Sequence, residues 1–242
     1  MLNEKRVFAI VPARGGSKGI PRKNQYRLGD LSLLERAITL GRACQYVDHV
    51  YVSTDDPEMW EISKKYGAHT QGLRPAELAT DTAKTIDVIK QLIPELNMYD
   101  SYVLLLQPTS PLRTKRDADR VCSLLAGKTD EAVVSLTELT HPHPYKAQVV
   151  HNGYVRSLMG VESTVPRQSL PKVYVPNGAF YLTDVDSILK RNTLLPERTL
   201  PYLMPAITSV NLDSPMDVVL LEALLEKGMV ALDDGDSTAT AT

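Results

Sequence analysis

Between Val11 and Tyr26 the chain sets Arg14, Ser17, Lys18, Arg22 and Lys23 around three glycines, Gly15, Gly16 and Gly19. Glycine lets a turn bring successive backbone N–H groups to one concave side, and cations beside such a turn make a seat for a polyphosphate. A plain βα turn with a few solvated charges has a similar composition, so the surrounding chain has to decide. Spacing excludes two familiar phosphate loops. A Walker A loop needs Gly-Lys-Ser/Thr opening a helix, whereas Lys18 stands between Ser17 and Gly19, and the dinucleotide pattern G-x-G-x-x-G is absent.

The elements that must position this loop are legible on either side of it. Val7–Val11 is an apolar, partly β-branched run closed by Pro12, which predicts a buried strand. Leu33, Leu34, Ala37, Ile38 and Gly41 repeat at helical spacing behind Ser32, a fit N-cap. His49–Ser53 predicts a second strand, and Asp55-Asp56-Pro57 a helix start with acidic cap and proline in the first turn. Paired aspartates also invite a metal reading, but capping alone explains them. Gly67 to Thr82 reads as a connection, followed by a helical stripe of Ile86, Ile89, Ile93 and Leu96. Tyr102–Leu106 is uniformly apolar, as a central strand of a parallel sheet would be. A helix through Ala118, Val121, Cys122 and Leu125 and a strand over Ala132–Leu136 continue the alternation. Such alternation predicts an α/β, doubly wound, mainly parallel sheet. Ligands of such sheets gather beyond the carboxyl ends of the strands, so the loops after Val11, Ser53, Leu106 and Leu136 should meet in space.

From Thr140 the pattern changes. Val149-Val150 and Tyr154-Val155 flank Asn152-Gly153, a strong hairpin turn, so residues 140–172 are expected to form an arm leaving the main body. Strand character returns over Val173–Tyr181, with a short helix expected at Asp184–Lys190 and a final one at Met216–Leu225. One domain is expected over residues 1–232, and the polar stretch 233–242 is expected to be a disordered tail. With 242 residues, 43% apolar and 23% charged, the chain has the composition of an ordinary globular protein with one sizeable core. A formal charge of −2 argues against a dedicated nucleic-acid binder. Cys44 and Cys122 form no metal-like spacing, which makes a reduced, cytoplasmic setting the default expectation. No signal-peptide pattern and no stretch near the roughly 18 apolar residues of a membrane span is seen. His141 and His143, two apart and each before a proline, lack the Cys/His partners of a metal site.

Five stretches, in order, resemble the acylneuraminate cytidylyltransferases, also called CMP-sialic acid synthetases. They are Pro12 to Asn24, Val52-Ser53-Thr54-Asp55, Arg74 to Thr82, Leu105 to Arg113, and Pro176 to Tyr181. The likeness spans roughly residues 6–228 and is more specific to the family than to the sugar used. It implies a nucleotide-diphospho-sugar transferase-like fold and a reaction joining CTP to a nine-carbon 2-keto sugar acid, giving the CMP-sugar and pyrophosphate. Positioning and charge neutralisation carry most of such phosphoryl chemistry. Arg14, Gly15, Ser17 and Lys18 would then hold the terminal phosphates, and Lys23 and Asn24 would face the triphosphate and ribose. Arg74, with Ala79, Thr80 and Thr82, matches the part that recognises cytosine. Gln107, Asn177 and Tyr181 match contacts to the acceptor sugar, while Arg113 could serve the sugar or a structural ion pair. Lys146 and Arg167, on the arm, match positions that reach the sugar acid across a homodimer with shared sites. Mg²⁺ is expected as cofactor, at Asp213 and Asn211; Arg14, Lys18, Lys23 and Asp213 would be the catalytic set.

The departures from the family pattern matter. The family often carries Asp-x-Asp where this chain has Asn211-Leu212-Asp213, leaving a single carboxylate. Leu194-Leu195 stands near a place where sialic-acid enzymes tend to carry aromatics, and Val175 replaces a frequent arginine. Both changes point away from N-acetylneuraminate and towards bacterial analogues such as legionaminic or pseudaminic acid. Two other readings stay open: a nucleotidyltransferase of this fold for another sugar or base, and a nucleotide-binding regulator without catalysis, which Asn211 favours and the retained cations oppose.

Overall fold

A computed structural model describes residues 1–160 and 164–233 of the chain. Its centre is a six-stranded sheet of order β10-β6-β9-β5-β1-β4. The strands are β1 (Arg6–Pro12), β4 (His49–Ser53), β5 (Ser101–Leu105), β6 (Ala132–Glu138), β9 (Tyr174–Asp184) and β10 (Thr199–Leu203). Five of them run parallel, and β9 is antiparallel to both neighbours, β5 and β6. The carboxyl ends of the five parallel strands and the amino end of β9 therefore share one edge. A short ladder of β2 (Arg27–Leu28) and β3 (Leu31–Ser32) follows the glycine loop.

Helices cover both faces. On one lie α1 (Leu33–Ala43), α2 (Pro57–Lys65) and α4 (Lys115–Ser123), packing Leu34, Ile38, Met59, Val121 and Cys122 against Ala9, Val11, Val50 and Leu104. On the other lie α3 (Thr85–Glu95) and α5 (Val185–Arg191), packing Ile89, Ile93 and Ile188 against Phe8, Ile10, Val103 and Leu105. α6 (Pro215–Glu226) closes a third cluster with Ile20, Leu33, Leu112 and Leu212, so the stretch beyond the glycine loop is anchored in apolar contacts.

Local chemistry sets the helix starts. Ser32 and Glu35 cap α1 reciprocally, Glu35 N donating to Ser32 Oγ at 3.3 Å and Ser32 N to Glu35 Oε2 at 2.6 Å. Asp56 caps α2 by accepting from Glu58 N (2.8 Å) and Met59 N (3.1 Å). Thr114 and Asp117 do the same for α4.

Three features depart from the expectations. β10 carries Pro201 and has no apolar alternation strong enough to announce it; it lies at the sheet edge, pairing only with β6, where a missing N–H is tolerated. The connection at residues 67–82 contains a 3₁₀ turn, Ala76–Leu78. Asp233, assigned from sequence to a disordered tail, instead accepts from Lys115 N at 2.7 Å; the rest of that tail lies outside the described residues. The hairpin forms as expected, with β7 (Gln148–His151) pairing only with β8 (Tyr154–Ser157) in a sheet of their own. Among the described residues no helix is long and apolar enough to cross a membrane.

Gly41 in α1 lies close against the sheet. A Cβ there would stand 3.1 Å from Val50 Cγ2, 3.2 Å from Leu106 Cδ1 and 3.4 Å from Ala9 Cβ. Gly41→Leu is expected to lower stability by about 1–3 kcal/mol through overpacking, while Gly41→Ala, which gains helix propensity, stays within about 1 kcal/mol of the parent. Urea denaturation followed by circular dichroism reads both.

Candidate active site

The loop that leaves β1 is pinned at several points by segments from other strand ends. Ala13 N continues the ladder by donating to Ser53 O at 2.9 Å. Gly15 N donates to Asp55 Oδ1 at 2.8 Å, so this amide is turned to the β4 loop and not into the cleft, contrary to its expected part in holding phosphate. Asn24 closes the loop's base, its Nδ2 donating to Arg14 O at 2.9 Å. A Cβ on Gly19 would meet Asp213 O at 2.1 Å, so the loop lies directly on the 211–213 segment and only glycine fits. Lys23 Nζ pairs with Asp213 Oδ1 at 2.9 Å across that contact.

Together these segments surround a cleft of about 430 Å³ at the shared strand edge. Of the residues picked from sequence, Arg14, Ser17, Lys18, Lys23, Asn24, Arg74, Thr80, Gln107, Asn211 and Asp213 line it. Arg74 is tied to the strand end it faces. Its Nε donates to Ser53 Oγ at 2.9 Å, further donors reach Ser53 O and Leu78 O, and burial pulls its pKa below the usual arginine range. It thereby braces the 3₁₀ turn that leads to Ala79. Thr82 does not line the cleft but approaches Thr80, hydroxyl to hydroxyl, at 3.3 Å.

The wall after β5 is tied to the 211–213 segment. Leu212 N donates to Thr109 O at 2.8 Å and Ser110 Oγ to Asn211 Oδ1 at 3.4 Å. Arg113 lies buried beneath this turn, donating to Ala179 O at 2.8 Å with Phe180 under its guanidinium, and burial pushes its pKa down to about 9. Neither role expected of Arg113 is seen: it does not line the cleft and makes no ion pair among the described residues, and its guanidinium instead supports the backbone at Ala179.

Four candidates sit elsewhere. Asn177 is buried, its Nδ2 donating to Ser209 Oγ (2.9 Å) and its Oδ1 accepting from Ser135 Oγ (2.6 Å) and Ala179 N (3.2 Å). It holds the bulge where the β6–β9 register jumps, which leaves Gly178 at φ +79° with its Cα facing Gln107 Oε1. Tyr181 packs against the α3/α5 core, where burial raises its pKa. Lys146 and Arg167 are on the arm, Arg167 donating to Thr140 O at 3.2 Å, and neither lines the cleft of its own chain. Leu194 also lies away from the cleft: its carbonyl accepts from Thr183 Oγ1 at 2.8 Å, beside the amino end of β6, so Leu194-Leu195 does not bear on the sugar side in the way expected.

Sequence reading missed Asp81, whose carboxylate bridges Arg14 Nη1 (2.8 Å) and Lys18 Nζ (2.6 Å) inside the cleft. It also missed the grip of Asp55 on Gly15, since no local pattern encodes a contact between segments 40 residues apart.

The sequence model of the cytidylyltransferase family matches residues 8–157. The chain belongs to that family. It is 30% identical over 232 residues to a CMP-N,N'-diacetyllegionaminic acid synthase of Legionella pneumophila, covering 94% of this chain and 99% of that one. To an N-acylneuraminate cytidylyltransferase of Escherichia coli it is 30% identical over 226 residues, covering 92% of this chain but 52% of the relative. Among solved structures, a CMP:2-keto-3-deoxy-manno-octonic acid synthetase complexed with CTP superimposes with a TM-score of 0.69 over 93% of this chain at 16% identity, which shows the shared fold.

For a member of this family the donor set at 211–213 bears on metal binding. Asp213 contributes one exposed carboxylate and Asn211 an amide oxygen, while Asn211 Nδ2 donates to Asp213 Oδ2 at 2.6 Å. Among the described residues no group of three His, Cys, Asp or Glu side chains could hold a metal by itself. One carboxylate with substrate phosphates completing the shell is a common arrangement for Mg²⁺, so the residues present fit that ion.

The carboxylate of Asp217 aims this segment. Burial raises its pKa, but donation from Ser214 N (2.7 Å) and Asp213 N (3.0 Å) outweighs it and leaves the group below the usual aspartate range. A lowered folded-state pKa stabilises above the unfolded value and the gain is lost as pH falls through the folded one. Asp217→Asn should therefore lose about 1 kcal/mol at pH 7, and its deficit against the parent should shrink as pH is taken from 5 towards 3. Urea midpoints at each pH measure this.

Proposed function

We propose that the chain transfers the CMP group of CTP to the anomeric hydroxyl of a sialic-acid-like, nine-carbon 2-keto sugar acid. The bond between the α-phosphorus and the bridging oxygen of the β-phosphate breaks, the sugar oxygen bonds to that phosphorus and gives up its hydroxyl proton to solvent, and pyrophosphate leaves with the electron pair of the broken bond. The observation that carries this reading is a single cleft lined by Arg14, Lys18, Lys23, Gln107, Asn211 and Asp213. Arg14 and Lys18 would meet charge where it grows on the departing pyrophosphate. Lys23, Ser17 and Asn24 would orient the triphosphate and ribose, and Arg74 would shape the base pocket through the 76–79 turn. Asp213 with the Asn211 oxygen would hold Mg²⁺, which when bound offsets charge on the leaving group. The full-length likeness to the legionaminic acid synthase, with Val175 in place of a frequent arginine, favours a bacterial nonulosonic acid over N-acetylneuraminate. Two free, buried cysteines accord with a reducing cytoplasm.

Pyrophosphate release from CTP with a panel of nonulosonic acids is the test, run with Mg²⁺ and again with EDTA. Activity is expected with Mg²⁺ only, and Lys18→Ala should reduce turnover by roughly 10²-fold or more, the scale of one preorganised charge at a developing anion. Near-normal turnover of that variant at saturating CTP would remove the phosphate-loop assignment, and no release with any sugar acid would favour a regulator.

The same reading includes a homodimer. The hairpin arm exposes the apolar side chains Val150 (75%), Tyr154 (73%) and Val155 (67%) among the described residues, and an isolated hairpin is marginal in water. A second subunit would cover them and bring Lys146 and Arg167 to its neighbour's sugar acid, where arginine can pair with the carboxylate through two bonds. Lys18→Ala and Arg167→Ala should each be inactive, yet refolding them together should restore about a quarter of the parental sites, since half the dimers are mixed and each then has one intact site. Mixed dimers without activity would show that each arm serves its own chain.

A further inference from the structure

The three loop cations that line the cleft, Arg14, Lys18 and Lys23, are met by two carboxylates from other segments, and these two are held differently. Asp213, which takes Lys23, is braced by Leu212 N on Thr109 O, by the Ser214–Asp217 cap and by the contact with Gly19. Asp81, which takes both Arg14 and Lys18, sits in a stretch whose own hydrogen bonds are few and local: Ala79 N to Ala76 O (3.1 Å), Ala83 N to Thr80 O (3.3 Å) and the Thr80–Thr82 hydroxyl contact. Lys84, at the start of α3, adds no side-chain cap. The two ion pairs are thus the main tie between this stretch and the loop across the cleft. Asp81 is also accessible, at 43% exposure, and lies in the cleft. Its two oxygens stand 2.8 and 2.6 Å from the two cations, as two phosphate oxygens would. The Lys18 hydrogen bond lowers its pKa, so it is charged at neutral pH.

We propose that Asp81 is an internal competitor of pyrophosphate, holding Arg14 and Lys18 when no phosphate is bound and reclaiming them as the product departs. The inference rests on the phosphate-loop reading above. A polyphosphate and the Asp81 carboxylate cannot share both cations, because like charges in contact repel. Binding therefore frees Asp81 and the 79–84 stretch, and product release is helped by its return. Exposed ion pairs are individually weak, so the expected effect is modest.

The test is calorimetric titration of inorganic pyrophosphate into the full chain, its Asp81→Asn and Lys18→Ala variants, and the double variant. Asp81→Asn should bind pyrophosphate about three- to tenfold more tightly, two weak ion pairs being removed as competitors. Lys18→Ala should bind it more weakly, and the gain from Asp81→Asn should be smaller in the Lys18→Ala background because half the competition is already gone. Hydrogen exchange of residues 79–84 should rise when pyrophosphate is added to the parent and be high from the outset in Asp81→Asn, a signature that a simple structural tie without competition would not give. Unchanged or weaker binding by Asp81→Asn, with Lys18→Ala still impaired, would overturn the proposal and leave the phosphate loop standing. Equal binding by parent and Lys18→Ala would overturn the phosphate loop itself.

Discussion

The ion pairs of three cations hold the site together: Arg14, Lys18 and Lys23 all line one cleft at the edge of the sheet, and each is met there by a carboxylate. The sheet supplies no charge of its own there, so carboxylates arrive from other segments: Asp81 from the stretch before α3, Asp213 from the stretch before α6. Each pairing joins parts of the chain far apart in sequence, and together they hold the loop across the strand ends. A polyphosphate offers the same cations a larger negative charge.

That fold depends on one irregularity. With β9 reversed between β5 and β6, its amino end joins the carboxyl ends of the parallel strands. The register jump between Val134 and Leu136 pushes Asn177 and Gly178 out of the ladder, and the Ser135 hydroxyl binds the Asn177 amide into the core. Gly178 then sits at positive φ against Gln107, where a side chain would collide with the carboxamide. A motif that reads as sugar contact is, in the folded chain, largely the support of the wall that carries Gln107.

The arm stands apart from this economy of contacts. β7 and β8 pair with each other and leave Val150, Tyr154 and Val155 largely in water, while β1, β4, β5, β6 and β9 carry buried residues. Such a surface is costly to expose.

Much was legible in the linear chain because it is set by local chemistry. Apolar runs mark β1, β4, β5 and β6, helical spacing marks α1, α3 and α4, Ser32 and Asp56 cap their helices, and Asn152-Gly153 turns the hairpin. The alternation also placed the cleft, since parallel strands bring their following loops to one edge, although the stretch after Leu136 does not line it. What only the tertiary structure decided were the pairings across that edge: Asp81 on Arg14 and Lys18, Asp55 on Gly15, and Arg113 turned inward to Ala179. The antiparallel setting of β9, the edge strand β10 with its proline and the withdrawal of Asn177 and Tyr181 from the cleft belong with them. Periodicity and capping act over a few residues and leave a trace in composition. An ion pair between residues 63 to 67 positions apart leaves none, because its energy depends on distances that exist only once the sheet has closed.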